Sequence, residues 1–84
     1  VEILCLNFGN AEALQSMKLL QQLRKEGKKA ELYPEAAKIK KQMDYANKRG
    51  IPYVAIIGES ELQKGTYILK NMLTGEQEER EFSK

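Results

Sequence analysis

Residues 51–57, Ile-Pro-Tyr-Val-Ala-Ile-Ile, form a continuous apolar run that limits the possible folds more than any other segment. A strand covered by helices on both faces needs such a run, whereas a strand with one face in water alternates between apolar and polar residues. Residues 1–8 are also dense in apolar and β-favouring residues and predict another strand. The sequence therefore predicts a sheet that lies between two layers of helices.

Residues 11–26 have the periodicity of an amphipathic helix, with Asn10 expected as the N-cap and Gly27 expected after the last turn. The side chains predicted to face the core are Leu14, Met17, Leu20 and Leu23, with Leu19 beside them. Residues 36–49 predict a second helix that ends at Gly50. Its inward side chains are predicted to be Ile39, Met43 and Ala46.

The remaining strands follow from shorter patterns. Residues 28–33 alternate, as expected of a half-buried edge strand that Pro34 ends. Residues 59–65 are interpreted as a short turn or a single helical turn, and residues 66–72 and 77–82 predict an antiparallel hairpin. Because the β-α-β-α-β order makes the first three strands parallel, we predict a three-layer α/β/α domain. Its five-stranded mixed sheet has the expected order 2-1-3-4-5, with strand 4 antiparallel.

Composition excludes several kinds of site. The chain has 84 residues, enough for one domain, with no histidine and one cysteine. It cannot supply a zinc site of the usual ligand types, a Ser-His-Asp arrangement or an internal disulfide, so we expect no catalytic centre and no metal. Cys5 lies in an apolar run and is expected to be an inert core residue. No segment is long and apolar enough to span a membrane, and we expect a cytoplasmic protein.

A binding site is expected where the parallel strands end, since ligands of open α/β sheets bind beyond these carboxyl ends. The second helix begins there and carries Lys38, Lys40 and Lys41 in its first turns, although the helix macrodipole disfavours cations at this end. Two interpretations remain open: an anion-binding surface that faces phosphate, or a solvated lysine-rich face. The net charge of +2 does not by itself indicate nucleic-acid binding.

The loop after the third predicted strand carries Glu59 and Glu61. These carboxylates are interpreted as exposed residues, as an acid/base pair, or as acceptors for the Watson–Crick edge of an unpaired guanine. Tyr33, before Pro34, is placed either to stack on a base or to pack over the sheet edge. The chain has no glycine-rich phosphate loop, so no nucleotide cofactor is expected in this domain.

Several segments, in this order and spacing, resemble a known family. They are residues 32–34, the helix at 38–46, the run at 50–59, Leu69-Lys70 and residues 74–77. They resemble the C-terminal anticodon-binding domain of class II aminoacyl-tRNA synthetases, and most of all the histidyl-tRNA synthetase type. The resemblance covers nearly the whole chain.

The resemblance implies a five-stranded mixed sheet and binding of the tRNA anticodon stem-loop. It places Glu61 at a base-contacting glutamate of related enzymes, and Lys70 at an arginine that contacts base or phosphate. Because lysine lacks the bidentate fork of arginine, a phosphate role is expected for Lys70. The chain at 1–84 is expected to be a non-catalytic fragment that lacks a final helix of the family.

The resemblance further implies a homodimeric parent enzyme whose separate catalytic domain binds ATP and Mg²⁺. Two alternatives stay open at this point. A synthetase-like paralogue can serve as a protein-interaction or regulatory module without binding tRNA, because fold alone does not decide function. A small carboxylate-dependent enzyme would need a deep pocket around Glu59 and Glu61.

Overall fold

The computed structural model describes residues 1–81, apart from the side chains of residues 10–12. The elements in chain order are β1 (Ile3–Cys5), α1 (Asn10–Lys25), β2 (Ala30–Leu32), α2 (Ile39–Arg49), β3 (Tyr53–Ile56), α3 (Glu59–Lys64), β4 (Thr66–Asn71) and β5 (Gln77–Glu81). Their kinds and order confirm the prediction, although β1 to β4 are each shorter than their predicted segments. The predicted end of the last strand, Phe82, lies outside the described residues.

The strands form one five-stranded sheet in the order β2-β1-β3-β4-β5. β1 pairs in parallel with β2 and with β3, whereas β4 pairs antiparallel with β3 and with β5. The predicted order and the antiparallel fourth strand are thus confirmed. β3 occupies the centre of the sheet, where Val54 and Ala55 are almost fully buried, as its continuous apolar run required. β5 is exposed along its length and forms an edge.

Helices cover the sheet on both faces. The core between the sheet, α1 and α3 contains Ile3, Cys5, Ala55, Leu19 and Leu23, with Leu62 packed against it. The core between the sheet and α2 contains Leu4, Leu6, Val54 and Ala46. Successive residues of β1 and β3 enter opposite cores because side chains alternate across a strand. None of the helices in the described part of the chain is long and apolar enough to cross a membrane.

The buried side of α1 differs from the predicted stripe. Leu14 and Met17 are 59% and 47% exposed, so their predicted place in the core was wrong. Ser16 and Leu19 face inward, and the Ser16 hydroxyl donates a 2.9 Å hydrogen bond to the Leu6 carbonyl. The apolar residues of this helix spread over more than one face, and periodicity alone did not show which face meets the sheet.

Glycines lie at both ends of α1 and at the end of α2. α1 begins at Asn10, with Gly9 in the capping position that we predicted for Asn10. The Asn10 side chain lies outside the described residues. Gly27 follows α1 with a φ of 85°, and Gly50 follows α2 with a φ of 66°, as predicted. Both are left-handed conformations that glycine adopts without a steric penalty.

α2 begins at Ile39, three residues later than the predicted residue 36. Ile39 is 46% exposed, so its predicted inward position was wrong, and Gln42 is fully buried in its place. The backbone of Ala37 explains the late start. Its N–H donates to the Asn7 carbonyl at 3.3 Å, and its carbonyl accepts from the Gln42 side chain at 2.8 Å. The segment before α2 is therefore tied to the end of β1.

Candidate nucleic-acid interface

Three loops and the three helix starts that follow them meet at one edge of the sheet, which we call the carboxyl rim. It consists of residues 6–9 after β1, residues 33–38 after β2 and residues 57–61 after β3. β4 runs antiparallel, so its first residue, Thr66, also lies toward this edge. The rim is the crevice position at which open α/β sheets bind ligands.

The start of α2 is basic and exposed. Lys38 occupies the N-cap position, Lys40 and Lys41 lie in the first turn, and this turn contains no acidic residue. Lys41 forms an ion pair with Glu35, with 3.2 Å between Nζ and Oε1. The hydrogen bond to Glu35 raises the pKa of the Lys41 ammonium above its ordinary value. Within the described residues Lys38 and Lys40 form no ion pair, so their charges remain available to an anionic ligand.

The acidic loop is the start of α3. Glu59 is exposed at the first helical position, and Glu61 is half-buried in the same turn. The Oε1 atom of Glu61 accepts a 2.9 Å hydrogen bond from the Gly58 N–H, which caps the helix. Each carboxylate oxygen has two lone pairs, so this bond uses one of about four acceptor positions. Glu61 therefore retains capacity to accept further hydrogen bonds from a ligand.

The basic and the acidic groups lie at the same edge of the sheet. α2 follows β2 and α3 follows β3, and only β1 separates these two parallel strands. With roughly 4.8 Å between neighbouring strands, the ends of β2 and β3 are about 10 Å apart. α2 packs on one face of the sheet and α3 on the other, so the lysines and the glutamates approach this edge from its two sides.

Two of the three rim loops, those after β1 and after β2, are joined by a polar network around Asn7 and Gln42, which we did not predict. The Gln42 Oε1 atom accepts from the Asn7 N–H at 2.7 Å, and Gln42 Nε2 donates to the Asn7 carbonyl at 2.8 Å. The Asn7 side chain donates to the Tyr33 carbonyl at 3.1 Å and accepts from the Gly9 N–H at 2.9 Å. The only sequence signal was a glutamine at inward helical spacing, where an apolar residue is expected.

Tyr33 lies in the core on the α2 side, 6% exposed. Its ring meets the Tyr45 ring edge-on, with centroids 5.2 Å apart and planes at 87°. The guanidinium of Arg49 lies over the Tyr45 ring, with its Cζ atom 5.1 Å from the ring centroid. This position corresponds to the packing interpretation, and the buried ring offers little surface on which a base could stack.

Lys70 lies away from the rim. It pairs with Val54 in the register of β3 and β4, four residues from Thr66. At about 3.3 Å per residue this places Lys70 about 13 Å along the strand from the edge. It is half-buried on the same face as Val54, which is the α2 face of the sheet. The structure brings Lys38, Lys40, Lys41, Glu59 and Glu61 to one edge, and Lys70 to the sheet face beside it.

A hydrolytic site is not favoured by the cavities. Four cavities of the described residues lie elsewhere, and neither Glu59 nor Glu61 lines any of these four. No group of three or more potential metal ligands occurs in residues 1–81 as described. Cys5 is fully buried, and burial raises the pKa of its thiol to about 12, so it remains protonated at neutral pH.

Comparison with known proteins assigns the family. The profile described as "Anticodon binding domain" matches residues 1–84. The chain belongs to this family of anticodon binding domains. Its sequence is 53% identical over 76 residues to the histidine–tRNA ligase of Phocaeicola vulgatus, covering 90% of this chain and 17% of that protein. It is 54% identical over 77 residues to the histidine–tRNA ligase of Porphyromonas gingivalis, covering 92% of this chain and 17% of that protein.

Solved structures agree with this assignment. A histidyl-tRNA synthetase from Nostoc sp. PCC 7120 superposes with a TM-score of 0.91 at 30% identity, over 96% of this chain and 20% of that one. The histidyl-tRNA synthetase from S. aureus gives a TM-score of 0.84 at 34% identity, over 96% of this chain and 24% of that one. The resemblance to the histidyl type that the sequence predicted is confirmed. The chain spans about a sixth of the length of its curated relatives.

Proposed function

We propose that the carboxyl rim binds the anticodon stem-loop of histidine tRNA, as the anticodon-binding domain of a histidine–tRNA ligase. The observation that carries this proposal is the position of the lysine-bearing start of α2 and of the Glu61 loop at one edge of one sheet. The family assignment and the similarity to histidine–tRNA ligases support it. No feature of residues 1–81 as described specifically favours the regulatory alternative.

The two groups at the rim serve different parts of the RNA. Lys38 and Lys40 are exposed cations, which suits them to the phosphate backbone and makes binding dependent on salt. Glu61 is an acceptor, which suits it to the N1–H and N2–H donors of an unpaired guanine. The lysines therefore provide affinity, and the glutamate provides base selectivity.

Glu59, Lys70 and Tyr33 have lesser roles in this proposal. Glu59 is exposed beside Glu61 and either accepts from the same base or remains solvated. Lys70 contacts a phosphate where the RNA extends from the rim across the α2 face of β4. Tyr33 supports the rim from the core through Tyr45, since its own ring is buried.

The proposal assigns the chemistry of aminoacylation to other parts of a parent enzyme. ATP and Mg²⁺ belong to its catalytic domain, and this chain needs neither to hold RNA. We further propose that the parent is a cytoplasmic homodimer whose subunit contacts are mainly formed outside residues 1–84. Histidine specificity then arises jointly from the catalytic domain and from anticodon recognition at the rim.

A titration with the anticodon stem-loop of histidine tRNA tests the proposal. We expect Lys38→Ala/Lys40→Ala to lower the affinity and to flatten the dependence of log K on log salt by about 0.7 per lost contact. The matched control is Lys25→Ala/Lys29→Ala, which removes two exposed lysines outside the rim. Equal losses in both double variants would contradict a specific rim surface, and absence of any stem-loop affinity would favour the protein-interaction alternative.

A further inference from the structure

Gln42 is the largest fully buried polar side chain among the described residues. A glutamine amide carries one acceptor oxygen and two N–H donors, and leaving such groups unpaired in a core costs about 1–3 kcal/mol. Here the oxygen and the nitrogen are both engaged, and no buried side-chain nitrogen or oxygen atom of the described residues lacks a partner. The position is therefore built for an amide and not for an apolar residue.

The bonds of Gln42 connect parts of the rim that are far apart in sequence. Asn7 lies 35 residues earlier, in the loop after β1, and Ala37 lies near the end of the loop that leads to α2. Lys38 and Lys40 flank the beginning of this helix, only a turn before Gln42. The amide thus connects the lysine-bearing start of α2 to the loop that follows β1, and β1 itself pairs with β3, the strand that leads to the Glu61 loop.

We propose that Gln42 is a positioning residue for RNA binding. It fixes the spacing between the phosphate-contacting lysines and the base-contacting glutamate without touching the RNA. The inference rests on the proposed function of the rim. Holding the two groups at a fixed spacing before binding removes the ordering cost that a loose rim would add to association.

Gln42→Glu provides a test with its own pH signature. A protonated carboxyl accepts from the Asn7 N–H and donates to one facing carbonyl, whereas an ionised carboxylate repels the carbonyl oxygens of Asn7 and Ala37. Burial and these carbonyls raise the pKa of the introduced group above the ordinary glutamate value of about 4.3. We expect the stem-loop affinity of this variant to fall about tenfold between pH 5 and pH 8.

The wild type should show a nearly flat profile over this range, because the chain contains no histidine. Gln63→Glu is the matched control, since Gln63 is exposed on α3 and its substitution adds the same charge near the rim. Its introduced carboxylate stays ionised above pH 5, so its affinity should be lower but insensitive to pH. Measurements are made at a temperature at which circular dichroism shows each variant fully folded, which separates positioning from loss of stability.

Several outcomes decide the inference. If the wild type binds RNA but the stem-loop affinity of Gln42→Glu depends on pH as little as that of Gln63→Glu, the positioning role is overturned. The proposed function then remains intact. A wild type without stem-loop affinity overturns both. Should Gln42→Glu fail to fold, Gln42→Met keeps the side-chain length without the hydrogen bonds. An affinity about tenfold lower, with faster hydrogen exchange at the Asn7 N–H, supports the inference, and unchanged affinity overturns it.

Discussion

The Oε1 atom of Glu61 accepts a 2.9 Å hydrogen bond from the N–H of Gly58, at the start of α3. One carboxylate therefore caps a helix and at the same time lies at the edge proposed to read an RNA base. A helix of six residues gains little from propensity alone, so this cap contributes to fixing the loop. A neutral amide oxygen can also accept from the Gly58 N–H, and substitution can thus separate capping from base reading.

Glu61→Gln is expected to preserve folding and to lose base selectivity. The amide oxygen keeps the cap, so the free energy of unfolding should change by no more than about 0.5 kcal/mol. The loss of the anionic acceptor should lower the preference for guanine over adenine in the anticodon about tenfold. Stem-loops that differ at one base measure this ratio. Glu59→Gln is the control in the same turn, and an equal loss for every base in Glu61→Gln would exclude a reading role.

Glu35→Gln is expected to strengthen RNA binding. Lys41 is held by Glu35 at 3.2 Å, and release of this ammonium adds a cation to the rim. The affinity should rise, and the slope of log K against log salt should steepen by about 0.7. Titrations at several salt concentrations provide the measurement. Glu31→Gln removes an exposed carboxylate of β2 that forms no ion pair among the described residues, and serves as the control.

A double-variant cycle then tests the cause of the Glu35 effect. In a chain that already carries Lys41→Ala, Glu35→Gln should have only the effect of Glu31→Gln, because no ammonium remains to be released. A full gain in the absence of Lys41 would show that the effect comes from net charge. Both exposed side chains lie on the surface, so neither change should alter the free energy of unfolding by much more than about 0.5 kcal/mol.

The buried thiol predicts a loss of stability in alkali. Burial raises the pKa of Cys5 from 9.0 to about 12 in the folded chain. The contribution of the buried thiol to the free energy of unfolding is fully present below the unfolded pKa of about 8.5–9. It is lost as pH rises toward 12, because in this range only the unfolded chain releases the thiol proton. Between pH 8.5 and pH 10 the wild type should lose about 1.5 kcal/mol more than Cys5→Ala, measured by urea unfolding. Parallel pH curves for the two proteins would refute the buried thiol as the cause.

The fold was largely predictable because its signals are local or follow from chain topology. The apolar run of β3 identified the central strand, and alternation with two helices required the parallel order of β1, β2 and β3. The inward faces of the helices were less predictable. Leu14 and Ile39 are apolar yet exposed, because a surface helix retains apolar residues outside its contact with the sheet.

The placement of most candidate residues at one edge was predictable, whereas their roles in binding stay predictions. The edge, the lysines of α2 and the glutamates of α3 followed from the rule that strand ends converge at one side of a parallel sheet. Tyr33 could not be assigned from sequence, since an aromatic residue before a proline suits a core or a stacking surface equally well. Only the contact with Tyr45 showed that its ring belongs to the core.

The amino-acid sequence by itself determined the order of elements, the central strand, the absence of histidine chemistry and the placement of opposite charges at one edge. The tertiary structure decided which helix faces are buried, that Glu61 caps its own helix, and that Gln42 joins α2 to the end of β1. The physical reason is the distance along the chain over which each signal acts. Strand and helix periodicities are written within a few consecutive residues, whereas the bond between Asn7 and Gln42 spans 35 positions and exists only when the sheet and the helix have packed together.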